Sequence, residues 1–335
     1  MIDVIKKYPD MCLEAIEILK KIELPKWNFN KIIISGMGGS ALAGDFVKDL
    51  LKDQLLLPIE IFREYHLPAY ADEDTLVFCV SYSGNTEETL SQFVDAIKRK
   101  CKIISIGSGG KLKEWSQKFG VPAILIPEGY QPRATVLYFL FSILVCLQKF
   151  GLINFENEMK EAIETLKSVD LSQFDSIAAS LKDCIPAVYA SSDMFGVIRK
   201  MKAWFNETSK IPARFDVFPE FSHNEMVSYE GDLNKNFYVI LVRTDDEGEE
   251  VKARIDFTKR FMEGKVSGIY ELWAKGNSKL AKMMYVTYIG DYLSYKIAQL
   301  NGIDPAATKS ITDLKNELKD KTNLVEKLER RLEID

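Results

Sequence analysis

Short, mostly apolar runs alternate along this chain with longer stretches of helical periodicity, and several of the runs stop on glycine or serine. In the first half the runs are Ile32-Ile33-Ile34, Leu57 to Arg63, Thr75 to Val80, Lys102 to Ile106 and Pro122 to Ile126. A strand that is apolar at every position must be covered on both faces. Such strands separated by helices predict a parallel sheet between two helical layers. The second half repeats the plan more loosely. Strands are expected at Ile185 to Ala190, Phe215 to Val217, Phe237 to Val242 and Gly268 to Trp273, with helices near 195–208 and 283–301. The length of 335 residues exceeds what one hydrophobic core usually holds. The expectation is therefore an α/β protein of two similar subdomains, each a mainly parallel sheet flanked by helices. The first spans residues 1–152 and the second 153–318, with a helical extension at 319–335. The extension is Lys- and Glu-rich, with Leu324, Leu328 and Leu332 at helical spacing, and predicts an amphipathic helix packed on the core or on a partner.

Several function classes fall away on composition. Net charge is −5 with no basic stripe, which argues against nucleic acid and anionic membrane as partners. The run Val136 to Leu147 is shorter than the roughly 20 residues a spanning helix needs and reads as a buried core helix. The first 24 residues mix charge into an amphipathic pattern, unlike a secretory signal. Cys12, Cys79, Cys101, Cys146 and Cys184 are widely spaced without a CxxC, which reads as small buried residues in a reducing, cytoplasmic setting. With two histidines, His66 and His223, a histidine-rich metal centre is excluded, and no metal or cofactor is expected. The acidic segment Thr244 to Glu250 reads as a solvated turn.

Two strand-to-helix turns carry the chemistry. Ser35-Gly36-Met37-Gly38-Gly39-Ser40-Ala41 follows the first strand, where glycines allow a sharp turn and the next helix offers free N–H groups to an anion. Read as Gly36-x-Gly38-x-x-Ala41 it also fits a dinucleotide fingerprint, with Glu64 near the place of a ribose-binding acid. Ser81-Tyr82-Ser83-Gly84-Asn85-Thr86 follows the third strand and gathers three hydroxyls at a second such turn. Phosphate needs several donors, and hydroxyls with helix amides supply them. Helix capping by Ser83 or Asn85 is the plain alternative, but capping asks for one such residue rather than a cluster.

These residues resemble the phosphosugar loop of the sugar isomerase (SIS) domain family. Asn206-Glu207-Thr208-Ser209-Lys210-Ile211-Pro212-Ala213 and Pro219-Glu220-Phe221-Ser222-His223-Asn224-Glu225 narrow the resemblance to the bifunctional phosphoglucose/phosphomannose isomerases, from the Gly36 loop to about Leu318. The resemblance implies a cytoplasmic homodimer that interconverts glucose 6-phosphate, and mannose 6-phosphate, with fructose 6-phosphate. It implies phosphate binding by Gly38, Gly39, Ser40, Ser81, Ser83 and Thr86. Arg133 would steady an enediolate, Glu207 would move the proton between C1 and C2, and His223 would open the ring from the neighbouring subunit. Lys315 resembles the late lysine near the sugar ring, and Thr308 the threonine that leaves room for either C2 epimer. The residues after Lys315 depart from the pattern.

The chemistry accommodates these assignments. Histidine titrates near neutrality without help, as ring opening requires. A glutamate in a dry site suits carbon proton transfer. Arg133 follows Pro132 at a helix start, where the dipole opposes a cation, so ordinary helix design does not ask for it. The plain alternatives are a solvated helix-end carboxylate for Glu207, a helix start capped by Ser222 for His223, a surface arginine for Arg133, and a surface or satisfied packing residue for His66. Three competing functions remain: a phosphosugar-sensing regulator without catalysis, a Rossmann-type NAD-dependent dehydrogenase, and an aminosugar isomerase, for which no glutaminase domain is present.

Overall fold

The computed structural model describes residues 1–333. Helices α1 (Ile2–Lys6) and α2 (Tyr8–Lys20) precede β1 (Lys31–Ser35) and α3 (Gly39–Leu51). Then come β2 (Ile59–Phe62), β3 (Thr75–Val80), α4 (Glu87–Lys98), β4 (Lys102–Gly107), α5 (Gly110–Lys118) and β5 (Ala123–Leu125). A 3₁₀ turn (Pro132–Thr135) leads into α6 (Val136–Lys149), followed by α7 (Glu156–Ser168) and α8 (Asp175–Leu181). The remaining elements are β6 (Ile185–Ser191), α9 (Phe195–Glu207), β7 (Arg214–Phe218), β8 (Phe237–Arg243), α10 (Glu249–Met262), β9 (Gly268–Trp273), α11 (Lys279–Leu300), α12 (Lys309–Thr322) and α13 (Leu324–Glu333). Each run expected as a strand contains or lies within one, and Val136 to Leu147 lies in helix α6 as expected; the signal is clearest in β1, β3, β4 and β6, which are buried almost throughout.

The strands form two sheets, in order β2-β1-β3-β4-β5 and β7-β6-β8-β9. All pairings are parallel; Ile34 lies beside Phe78 and Val188 beside Ile240. The chain divides into two compact units. One comprises Asp10–Phe155 with the residues from Thr308 onward, the other Met1–Pro9 with Glu156–Ala307. These bounds differ from the expected 1–152, 153–318 and 319–335, and the reasons are local. Ile5 and Tyr8 are buried, and the Tyr8 hydroxyl donates to Asp291 on α11 at 2.5 Å. At the other end, Leu328 and Leu332 of α13 are buried with Phe93 and Val94 of α4 and Leu112 and Trp115 of α5. Arg331 reaches Asp95 at 3.3 Å and Lys111 reaches Glu329 at 2.9 Å. The expected single terminal helix is two helices, broken at Asn323, which adopts the left-handed conformation (φ 46°) favoured at helix ends.

In the five-stranded unit β3 is buried throughout. Ile33, Val77 and Cys79 face α4 and α5. Gly44 of α3 lies so close to the sheet that a Cβ there would sit 2.9 Å from Ile61 and 3.0 Å from Ile34. Helix α6 is buried from Val136 to Leu147. The stretch 132–149 could cross a membrane by length and composition, but 83% of it is buried inside the protein. In the four-stranded unit, Ala187, Tyr189, Val239 and Leu241 pack with Ile255 and Met262 of α10. Lys200 of α9 is fully buried and forms an ion pair with Asp291. Desolvation lowers the Lys200 pKa, only partly offset by that partner.

Candidate active site

A parallel sheet directs the helix N-termini to the carboxyl ends of its strands, and ligands bind where neighbouring connections leave in opposite directions. In the order β2-β1-β3-β4-β5 that place lies between β1 and β3. Those two strands end in the glycine loop and the serine turn.

The glycine loop is tight for steric reasons. Gly38 is the N-cap of α3 at φ 51°, and no side chain caps the helix. A Cβ on Gly36 would lie 3.1 Å from the Val80 carbonyl at the end of β3. A Cβ on Gly39 would lie 3.0 Å from the Pro132 carbonyl and 3.3 Å from Arg133 Cα. Side chains at these two positions would push apart the β1, β3 and Arg133 segments. Ser40 is buried in the first turn.

The serine turn is shaped by bonds that do not cap α4. Thr86 is the N-cap in extended conformation, again with no side-chain cap. The hydroxyls of Ser81 and Thr86 lie 2.9 Å apart, hydrogen-bonded to each other. Ser83 Oγ accepts from Asn85 N–H at 3.2 Å, and Asn85 Oδ1 accepts from Lys111 N–H at 3.0 Å, at the start of α5. The expected alternative of Ser83 or Asn85 capping α4 is therefore not realised. A helix start without a side-chain cap is of the kind that can accept an anion. Glu87 and Glu88 open the same helix. Burial, then the Glu88 charge, pushes the Glu87 carboxyl above its ordinary value. The turn is locked from behind by the β4–α5 connection. Gly84 has φ 66°, and a Cβ there would fall 1.8 Å from the Gly109 carbonyl, so no other residue fits.

Arg133 sits in the 3₁₀ turn behind Pro132 and is buried, contrary to the surface-arginine alternative. Gly38, Gly39, Ser40, Ser81, Ser83, Thr86 and Arg133 thus belong to one unit, in segments that follow its strands β1, β3 and β5. Thr308 and Lys315 belong to the same unit. Thr308 is the N-cap of α12 without a side-chain cap, and Lys315 is exposed on that helix, none of whose residues is buried.

Glu207 and His223 belong to the four-stranded unit. Glu207 is the last residue of α9 and is half-buried. The turn beyond it is pinned: Thr208 N–H donates to the Trp204 carbonyl at 2.7 Å, Ser209 Oγ to the Ser294 carbonyl at 2.7 Å, and Asn206 Nδ2 to the Ile211 carbonyl at 2.8 Å. The NE-xxK-PA block is thereby a rigid mount for one carboxylate. His223 ends a 3₁₀ turn (Glu220–His223) and is exposed. No side chain caps that turn, and the next 3₁₀ turn (Glu225–Glu230) is capped by Asn224 rather than by Ser222. The segment is anchored by Glu225, which accepts from Tyr189 Oη at 2.8 Å and pairs with Arg214 at 2.5 Å. His66 fits the surface alternative: it is exposed, with its Nδ1 3.0 Å from Asp95.

Sequence reasoning missed Tyr82, whose hydroxyl accepts from Tyr130 N–H at 2.8 Å and donates to the Pro127 carbonyl at 3.2 Å. Both partners are more than 40 residues away, so no local pattern could reveal them. It also missed the charge balance after β8. Glu247 is buried against the buried Arg243, with 3% and 1% of their side chains exposed, so the acidic turn is only partly solvated.

Two doubly wound parallel sheets, one with uncapped helix N-termini and a hydroxyl cluster at its switch point, define a SIS-type α/β protein. Residues 172–318 match the family described as bacterial phospho-glucose isomerase C-terminal SIS domain. The chain is 36% identical to the bifunctional phosphoglucose/phosphomannose isomerase of Caldicellulosiruptor bescii, over 95% of this chain and 98% of the relative. It is 36% identical to the Aquifex aeolicus enzyme of that name, over 87% and 91%. The solved C-terminal domain of glucosamine-fructose-6-phosphate aminotransferase from Francisella tularensis superposes with TM-score 0.70 at 16% identity, over 92% of this chain and 97% of that one, a likeness of fold. The chain belongs to the bifunctional phosphoglucose/phosphomannose isomerase family.

Proposed function

We propose that the protein is a cytoplasmic isomerase that interconverts glucose 6-phosphate and mannose 6-phosphate with fructose 6-phosphate through an enediol. The observation that carries this reading is the serine turn: two bonded hydroxyls beside an uncapped helix N-terminus, at the switch point of the sheet. The phosphate ester binds there, with the amides of α3 and α4 and the hydroxyls of Ser40, Ser81, Ser83 and Thr86 as donors. His223 moves a proton between the ring oxygen and the C1 hydroxyl, opening the sugar. Glu207 then takes the proton from C2 of the aldose and returns it to C1, giving the ketose. The negative charge that develops on the enediol oxygens is stabilised by Arg133. Lys315 contacts the sugar, and Thr308 leaves space for both C2 epimers. Glu207 stands at the carbonyl end of α9, where helix design favours cations over carboxylates, which supports a role beyond structure.

Glu207→Gln should lower kcat by about 10³-fold while phosphosugar binding persists, and C2 proton exchange with solvent should stop. Normal exchange in that variant would remove Glu207 from the mechanism. An exposed His223 supports the further reading that the histidine serves the site of a neighbouring subunit in a homodimer. Glu207→Gln and His223→Ala proteins, each inactive alone, should then recover activity when mixed, since a mixed dimer holds one complete site. Mixtures that stay inactive after verified subunit exchange would place both groups in one chain.

A further inference from the structure

We propose that Tyr82 is a positioning residue that ties the phosphate-binding turn to the segment delivering Arg133, so that one hydroxyl sets the arginine against the bound sugar. The proposal rests on the reading of Arg133 given above. Tyr82 is the second residue of the serine turn, and its side chain is not directed to the phosphate donors but is buried, with 8% of the residue exposed. Its backbone is fixed first. The Tyr82 carbonyl accepts both the N–H of Ser108 at 2.8 Å and the Oγ–H of Ser108 at 2.7 Å. Its hydroxyl then spans the loop after β5, donating to the carbonyl of Pro127 and accepting from the N–H of Tyr130.

That loop leaves β5 at Ile126, whose N–H donates to the Gly107 carbonyl at 3.0 Å. Glu128 and Gly129 are exposed, and Gly129 has φ 91°. The next backbone bond runs from Ala134 N–H to the Gln131 carbonyl, already within the turn that carries Arg133. Beyond the loop, the glycine loop passes so close that a Cβ on Gly39 would lie 3.0 Å from the Pro132 carbonyl and 3.3 Å from Arg133 Cα. The arginine segment therefore runs between a close approach at Gly39 and a tether at Tyr82. Tyr130 continues the tether, its ring 5.8 Å from Tyr138, whose hydroxyl donates to Glu14 at 2.5 Å. Phenylalanine would satisfy the packing at position 82. Only a hydroxyl, which donates and accepts at once, can bridge Pro127 and Tyr130.

The test is Tyr82→Phe in the full-length enzyme, read by steady-state kinetics, by inhibition with inorganic phosphate and with a five-carbon aldonate phosphate as enediolate mimic, and by thermal unfolding. We expect kcat to fall about 10-fold and the enediolate mimic to bind about 10-fold more weakly, with KM and the phosphate inhibition constant within twofold of the parent. Loss of thermal stability with unchanged kcat and inhibitor binding would overturn the proposal. So would weaker phosphate binding at unchanged kcat, since the tyrosine would then serve the turn alone. A double-mutant cycle with Arg133→Ala separates the remaining cases. If Tyr82 acts through Arg133, Tyr82→Phe has no further effect on kcat in the Arg133→Ala enzyme. Full additivity, with Arg133→Ala itself impaired, overturns the tether and leaves the reading of Arg133 standing. Undiminished kcat in Arg133→Ala overturns that reading and the proposal with it.

Discussion

The turn after β3 and the turn after β8 occupy equivalent places, each following a strand at the switch point of its own sheet, and their chemistry is opposite. After β3 stand Ser81, Ser83 and Thr86, neutral donors before an uncapped helix. After β8 stand Thr244, Asp245, Asp246 and Glu247, with Gly248 as the N-cap of α10. The acids are already matched within the unit. Lys282 meets Asp245 at 2.5 Å and Asp246 at 2.9 Å, and Arg243 meets Glu247 at 2.8 Å. Partial burial pushes the Asp246 carboxyl up, but Lys282 outweighs it and holds the acid charged at neutral pH. A phosphate 4 Å from one such carboxylate would meet about 4 kcal/mol of repulsion per pair of unit charges at an effective dielectric near 20. The fold offers the same helix N-terminus twice, and the turn residues decide that one can hold an anion and the other is filled by its own side chains.

Two substitutions sharpen or break that contrast. The larger effect is expected in the acidic turn. Arg243→Met leaves the buried Glu247 without its main counter-charge, which should cost about 3 kcal/mol of stability, read as a lower denaturation midpoint. KM should stay the same, and a rise in KM matching the stability loss would mean that the turn after β8 also serves substrate. The smaller effect is expected in the serine turn. Ser83→Asp keeps an acceptor for Asn85 N–H but brings a charge like that of the acidic turn. KM for the sugar phosphate should rise roughly 30-fold, about 2 kcal/mol, with the melting temperature held. An unchanged KM would show that the turn residues do not govern phosphate binding.

Much of the fold was legible because strands buried on both faces are written as continuous apolar runs. The corners of the candidate site were legible where residues lie beside their sequence neighbours. The Gly36–Gly39 loop and the Ser81–Thr86 turn are local motifs, and each occupies the predicted strand-to-helix corner. What could not be read depends on distant partners. Asn85 looked like a cap for α4 but serves α5 through Lys111, and of the acids after β8, which looked solvated, Asp245 and Asp246 are exposed while Glu247 is buried against Arg243. The unit boundaries were hidden for the same reason. The spacing of Leu328 and Leu332 announces an amphipathic helix but not that Phe93 and Trp115 complete its core.

The return of α13 to the five-stranded unit has a consequence for how the chain is made. Phe155 and Leu324 are separated by about 170 residues that belong largely to the other unit. At ribosomal speeds of 5–20 residues per second, the nascent unit waits roughly 10–30 s for its last helix. During that interval the apolar side of α4 and α5 is open to chaperones or to the wrong neighbour, and it closes only when Leu328 and Leu332 emerge.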